Sequence, residues 1–415
     1  MDQATAIAQP PSVPPVAPPL PIVFQNLRPQ FRRLVFRGAL LELITVGFYR
    51  FWLATDIRRH VWHSTSMDGD ALEYTGVAKE LLFGALLALG IFAPIYLIYF
   101  LIGLEAERLK AFASIPFGLF FYLFSQFAIY RARRYRMTRT IWRGVRFWMT
   151  GSGWDYAWRS AVWMLLVFVT LGLALPWREA ALERFKMRHS HYGDLQGRFD
   201  ARGWEFFKKG IWIWLAIPGV LIAGSIIIGV LAAVVGAPTG AKIGGVVGAV
   251  SPIIFWLTAP FFYAAFKAIQ WRWWISGVRF GGVSFVSTIR ARDLVGLYWK
   301  VIGWSFLILI LLLVAIASAA AAAGLLGGGE GTLEQKILMA SQQWHVIIPM
   351  FAGYVVAALM ATAVMRIYLI HDLTARIAAS TSVHNITAAE NVAARGATAT
   401  AIGEGLADSL EIFGF

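Results

Sequence analysis

Six long apolar stretches, at residues 81–104, 111–130, 211–235, 243–266, 301–327 and 345–370, constrain this chain more than any other feature. Each is long enough to cross a hydrocarbon core of about 30 Å as a helix. Composition points the same way: 58% of residues are hydrophobic and 14% charged, where soluble chains average about 45–50% and about 25%. The expectation is an all-α, polytopic membrane protein with six to eight transmembrane helices.

Two shorter stretches leave the count open. Residues 38–54 contain Glu42 and Arg50, and residues 160–177 are uncharged but barely long enough, with Pro176 marking the expected helix end. The loops carry the charge bias. There are 37 Lys and Arg against 23 Asp and Glu, net +14, and in a membrane protein such an excess marks cytoplasmic loops. If the short stretches do not span, three helical hairpins (81–130, 211–266, 301–370) put every basic stretch and both termini in the cytoplasm. If both span, basic stretches fall on opposite faces, against that bias. The first topology is expected, and nucleic acid is not expected as a partner.

The chain has no cysteine, which excludes disulfides, thiolate catalysis and Cys-based metal sites. Residues 1–33 read as a disordered Pro-rich tail without a signal peptide, 34–376 as the membrane domain, and 377–415 as a C-terminal cytoplasmic tail. An internal repeat is suggested. Thr45-Val46-Gly47 with Trp52, Arg59 and His63-Ser64 is matched by Thr170-Leu171-Gly172 with Trp177, Arg184 and His189-Ser190. Gly144-Val145-Arg146-Phe147 recurs as Gly277-Val278-Arg279-Phe280. These matches suggest tandem repeats of about 130 residues, at 36–159 and 160–292, with a truncated third at 293–376.

Few residues point to chemistry. Glu42 is the one acid inside an apolar stretch; it reads either as a proton or cation site or as an interfacial carboxylate paired with Arg37 or Arg50. His60 and His63, with His189 and His191 at the matching place, are the best metal candidates. A metal site needs three or four ligands, so neither metal nor cofactor is expected. No catalytic signature motif appears, so no catalytic residue is assigned. Gly240, Gly244 and Gly248 form a small-residue row suited to close helix packing, within the chain or in a homo-oligomer. Arg131, Arg133, Arg134, Arg136, Arg139, Arg143 and Arg146, with Trp142, form a basic aromatic segment suited to anionic lipid headgroups. The same arginines serve equally as a topology signal.

Several strings resemble one family. Thr170 to Trp177 (TLGLALPW), residues 277–300 (GVRF…STIRARDLVGLYWK), residues 50–76 (RFW…RRHVW…DGDALEYTG) and the C-terminal Gly403 to Phe415 are similar to the YjgN-like family of bacterial inner-membrane proteins. The resemblance implies the bacterial cytoplasmic membrane and no activity, because that family's function is unknown.

Three functional readings follow: a non-enzymatic protein that handles anionic membrane lipids or organises the envelope through its basic cytoplasmic face, a small-solute transporter or channel between repeats, and an intramembrane enzyme. The hairpin topology makes a direct prediction. A reporter fused after Phe415 reads cytoplasmic, and single cysteines replacing Thr150 and Leu195 react with impermeant maleimide only from inside; labelling from outside at either site contradicts it.

Overall fold

The computed structural model describes residues 18–105, 107–235, 237–322 and 344–396. Strand β1 (Leu20–Phe24) is followed by helices α1 (Arg28–Ile44) and α2 (Arg50–His63) and by short strands β2 (Thr65–Met67), β3 (Asp70–Ala71) and β4 (Glu73–Tyr74). Next come α3 (Ala78–Glu105), α4 (Glu107–Thr138), β5 (Thr140–Trp142) and β6 (Val145–Met149). The pattern continues through α5 (Gly153–Val169), α6 (Leu175–Arg188), β7 (Ser190–Tyr192) and β8 (Leu195–Phe199), then α7 (Gly203–Val235), α8 (Ala237–Gly277), β9 (Val278–Phe280) and β10 (Val283–Ser287). Last are α9 (Ala291–Ala322) and α10 (Trp344–Met365), which passes through a π-helical turn (Arg366–Asp372) into α11 (Leu373–Ala379) and β11 (Thr381–His384). Helix pairs thus alternate with β-hairpins.

Local chemistry explains the alternation. At the helix-to-strand junctions a hydroxyl turns back on the helix: Ser64 donates to the carbonyl of His60 (2.7 Å), Thr140 to Arg136 (2.8 Å), Ser190 to Lys186 (2.8 Å) and Thr381 to Ile377 (2.7 Å). Each of these last-turn carbonyls also accepts a backbone N–H from its own turn, and the hydroxyl adds a second bond that ties the chain entering the strand to the helix end. Each hairpin then turns in two residues, at Asp68-Gly69, Arg143-Gly144, Gly193-Asp194 and Gly281-Gly282. In the first two, both turn residues have positive φ (53° and 81°; 48° and 74°), the geometry whose twist matches that of paired strands.

All strands join one antiparallel sheet in the order β3-β2-β1-β11-β10-β9-β8-β7-β6-β5-β4. Its two edges, β3 and β4, are separated only by Leu72, whose N–H donates to the carbonyl of Thr65 (2.9 Å). The stretch 70–74 therefore pairs with β2 on one side and β5 on the other, and the sheet closes on itself. Alternate residues from around the ring, including Ile22, Trp142, Phe147, Tyr192, Phe285 and Val383, meet in one core cluster. Ile386 and Ala389, from the turn after β11, complete it. The barrel is filled with side chains and is not a pore.

The helices form a matching ring. Within each pair the two helices pack together, and α2 packs on α3, α4 on α5, α6 on α7, α8 on α9, and α10 on α1. Among the described residues three segments are long and apolar enough to cross a membrane: Ala78–Leu101, Ala291–Ala319 and Ile347–Ala379.

This architecture corrects the all-α expectation of six to eight spans, because an eleven-stranded sheet joins the helices and three segments among the described residues qualify as spans. The strands were missed because they hold two to five residues each, too few to show a period of two, and they lie inside loops whose arginines dominate the hydropathy. The two GVRF strings are not equivalent: one opens at a hairpin turn into the second strand β6, the other at a helix end into the first strand β9. Residue 159, the expected repeat boundary, falls inside α5. The stretches 38–54 and 160–177 each break into two helices, and Pro176 opens α6 instead of ending a helix. In the expected tails, residues 20–24 form β1 and residues 28–33 begin α1, while residues 381–384 form β11. Both strands lie beside each other in the sheet. Residues 1–17 and 397–415 lie outside the described residues.

Closure at one residue gives a test. Leu72→Pro removes the N–H that bonds Thr65, leaving that carbonyl unpaired at a cost on the order of 1–3 kcal/mol. A lowered melting midpoint, with faster amide exchange in β2 and β5, is expected; unchanged exchange there means the ring does not depend on this link.

Candidate functional site

Where the helical ring meets the barrel there is a central chamber of about 850 Å³, within the range of known ligand pockets. It is lined mainly by the second helix of several pairs. Arg50 and Arg58 come from α2, Arg136 from α4, Lys267 from α8 and Arg366 from the π-helical turn. Trp62, Trp271, Tyr263 and Tyr298 add aromatic walls, and Thr65 and Leu72 bring the lining down to the barrel.

The cations are held in place by neighbours. Arg366 makes a two-pronged pair with Glu42, donating to its two carboxylate oxygens at 3.0 and 2.9 Å. Glu42 is buried, and the pair joins α1 to the last helical segment across the closing seam of the ring. The acid flagged in the sequence thus has Arg366, not Arg37 or Arg50, as the partner in this pair. Arg58 donates to the Tyr74 hydroxyl (3.3 Å), and Lys267 to Gln270 (3.0 Å).

A second buried network joins α4 to α6. Glu183 accepts from Arg133 (3.3 Å) and from Lys186. Burial by itself pushes the Glu183 carboxyl up, but Lys186 and Arg133 outweigh it and hold it below the usual carboxylate range. Burial pulls the Lys186 ammonium down, and Glu183 reverses that as well. With Arg133 this pair ties α4 to α6.

The basic segment read from the sequence is dispersed by the fold. Arg133 serves that network; Arg139 pairs with Glu80 (2.6 Å); Arg143 bridges Asp68 (2.6 Å) and Asp70 (2.5 Å) from the neighbouring hairpin. Arg146 donates to the Thr138 carbonyl (2.5 Å) and Arg134 to that of Gly151 (3.4 Å). Arg131 is half-buried on α4, Trp142 lies in the barrel core, and Arg136 alone of the eight lines the chamber. Sequence reasoning missed Arg58, Lys267 and Arg366 as partners of Arg136. The available signal was a cation placed at the margin of an apolar or aromatic stretch.

The histidines do not converge as a set. His63 ends α2, His189 caps α6 with its Nδ1 2.7 Å from the Phe185 carbonyl, and His191 stacks on Trp148 at 4.2 Å. His60 lies 6.4 Å, centroid to centroid, from His371, with Phe31 packed against both. Among the described residues no group of three or more His, Cys, Asp or Glu is placed to hold a metal. Gly240, Gly244 and Gly248 fall in α8, but their surroundings lie outside the described residues.

A closed barrel carrying a ring of helices, three of them apolar enough to span, defines a membrane-associated protein class with a basic internal chamber. Over residues 19–409 the sequence matches a family described as bacterial protein of unknown function (DUF898), and the chain belongs to that family. This agrees with the family resemblance carried by its motifs. No curated protein and no solved structure matches the chain.

Two predictions follow from these contacts. Arg366→Met leaves a buried carboxylate unpaired and costs about 3–5 kcal/mol, whereas the double variant Glu42→Leu/Arg366→Met recovers most of it; melting in detergent measures both, and a single variant as stable as the parent contradicts the role of the pair. Burial, then His371 and His63, holds His60 below its ordinary value of about 6.5. Below that pH the unfolded chain binds the proton more readily than the folded one, so stability falls as pH drops through this region. Melting between pH 7.5 and 5.5 should show the loss, and His60→Gln should flatten it.

Proposed function

We propose that this chain is a non-enzymatic membrane protein that binds an anionic amphiphile, with the headgroup in the central chamber and the barrel on the cytoplasmic side. The observation that carries this reading is the chamber's lining: Arg50, Arg58, Arg136, Lys267 and Arg366 surround it among Trp62, Trp271, Tyr263 and Tyr298. Guanidinium forks suit phosphate oxygens, and indole and phenol rings suit the boundary between headgroup and acyl chain. The position of the chamber, where apolar helices meet the barrel, supports a ligand with a charged head and an apolar tail. The filled barrel counts against a continuous solute path along its axis.

The test compares purified wild type with the triple variant Arg58→Gln/Arg136→Gln/Lys267→Gln by native mass spectrometry and by phosphorus assay of extracted lipid. Wild type is expected to retain anionic phospholipid, to melt higher when phosphatidylglycerol is added, and to respond weakly to phosphatidylcholine. The variant is expected to lose at least ten-fold in retention. Equal retention by both proteins, or wild-type stabilisation by inorganic phosphate as strong as by the lipid, overturns the amphiphile reading.

A further inference from the structure

The two short helix pairs, α1 with α2 and α5 with α6, end in turns built to one plan. In the first, Thr45 donates its hydroxyl to the Leu41 carbonyl (2.7 Å) and accepts from the Tyr49 N–H (2.9 Å). In the second, Thr170 donates to Leu166 (2.8 Å) and accepts from Ala174 (3.1 Å). The next two residues have positive φ in both, Val46 and Gly47 at 51° and 87°, Leu171 and Gly172 at 50° and 92°. The N–H of Gly47 reaches Glu42 (2.7 Å) and that of Gly172 reaches Val167 (2.8 Å). Each remaining N–H from Val46 to Arg50 and from Leu171 to Leu175 also has a partner within its own turn.

This design is unsuited to water and suited to hydrocarbon. A turn facing water can leave its amides to solvent and place Gly, Asn or Asp where φ is positive. Here branched apolar residues take that strained position, and Val46 is 87% exposed and Leu171 82% exposed. Around them Ile44, Phe48, Phe168 and Val169 also point outward. The charges nearest the tips turn inward: Glu42 and Arg366 pair, Arg50 lines the chamber, and Arg178 donates to Ser160 and Tyr122. A backbone that satisfies itself under an apolar surface is what lipid demands.

We propose that both tips insert into the acyl chains of the leaflet next to the barrel and stop near the bilayer midplane. The depth follows from helix rise: nine residues from Arg37 to Val46 and twelve from Arg159 to Leu171 correspond to about 14–18 Å, against about 15 Å for half of the hydrocarbon core. The first tip is also continuous with spanning surfaces, since α1 packs on α10 and α2 on α3. Protein-free lipid is thus the occupant, and the ring alternates deep and half-depth insertions at these two places.

The chain has no cysteine, so the test needs no background substitutions. Val46→Cys and Leu171→Cys report the turns; Ile44→Cys and Phe168→Cys, at unstrained helical positions, report them if the turn variants do not fold. Gly69→Cys, in a barrel hairpin, is the exposed control. In sealed vesicles of defined phosphatidylethanolamine and phosphatidylglycerol, impermeant maleimide is expected to label the control from one side and the tips from neither. Nitroxides at the tips are expected to collide with oxygen at least five-fold more than with a polar nickel chelate, at depths short of or near the midplane. Labelling from the side of the control places the tips in water, and labelling from the opposite side makes the pairs spanning; either overturns the proposal. Low collision with both probes means protein covers the tips, which overturns it too.

Discussion

The closed ladder of backbone hydrogen bonds is the constraint on which this structure depends. A short strand cannot hold itself; three residues contribute too few bonds and too little buried surface to offset their own ordering. Eleven such strands become stable by pairing side by side, and the two end strands, β3 and β4, are halves of one stretch, 70–74. The stretch 70–74 closes the ring by pairing on both sides, and β1 and β11, from opposite ends of the described chain, supply adjacent staves. Once the ring is closed, every helix pair is rooted at fixed points on its rim.

That rooting accounts for the chamber. Helices emerging from a circle of strands must stand around an axis, and their inward faces enclose the space above the barrel. Side chains far apart in sequence meet there: Arg58 near the start, Arg136 and Lys267 in the middle, and Arg366 near the end. The Glu42–Arg366 pair then joins the first helix to the last at the seam, where a gap in the ring would otherwise open. Elsewhere charge does similar work between neighbours, as Arg139 on Glu80 and Arg143 on two aspartates show. Much of the basic segment that looks like a ligand surface in one dimension is engaged in these ties.

Helix lengths add a second layer. Long pairs and short pairs share the same root in the barrel, so a difference of a few turns at the root becomes a difference in how far each pair reaches. The short pairs end in self-satisfied turns that carry bulky apolar residues in a backbone conformation disfavoured for them. In the barrel hairpins the same conformation is taken by the polar Asp68 and Arg143, so the apolar Val46 and Leu171 set these two turns apart.

The sequence by itself determined the solvent of this protein and its family. Apolar runs of twenty or more residues, a basic excess and the ordered motifs of residues 50–76, 170–177 and 277–300 are local properties, legible without a fold. The position of Glu42 in an apolar stretch also marked it, either as a proton or cation site or as a paired carboxylate. The barrel was recorded only faintly, in a two-residue turn such as Gly281-Gly282 flanked by Val278, Phe280, Val283 and Phe285. Strands this short carry no readable period, and which strand pairs with which is a property of ring closure. The tertiary structure alone decided the partner of Glu42, the dispersal of the arginines and the convergence of cations on one chamber. Those outcomes depend on contacts between residues tens to hundreds of positions apart, and one-dimensional spacing holds no information about which faces such residues will share.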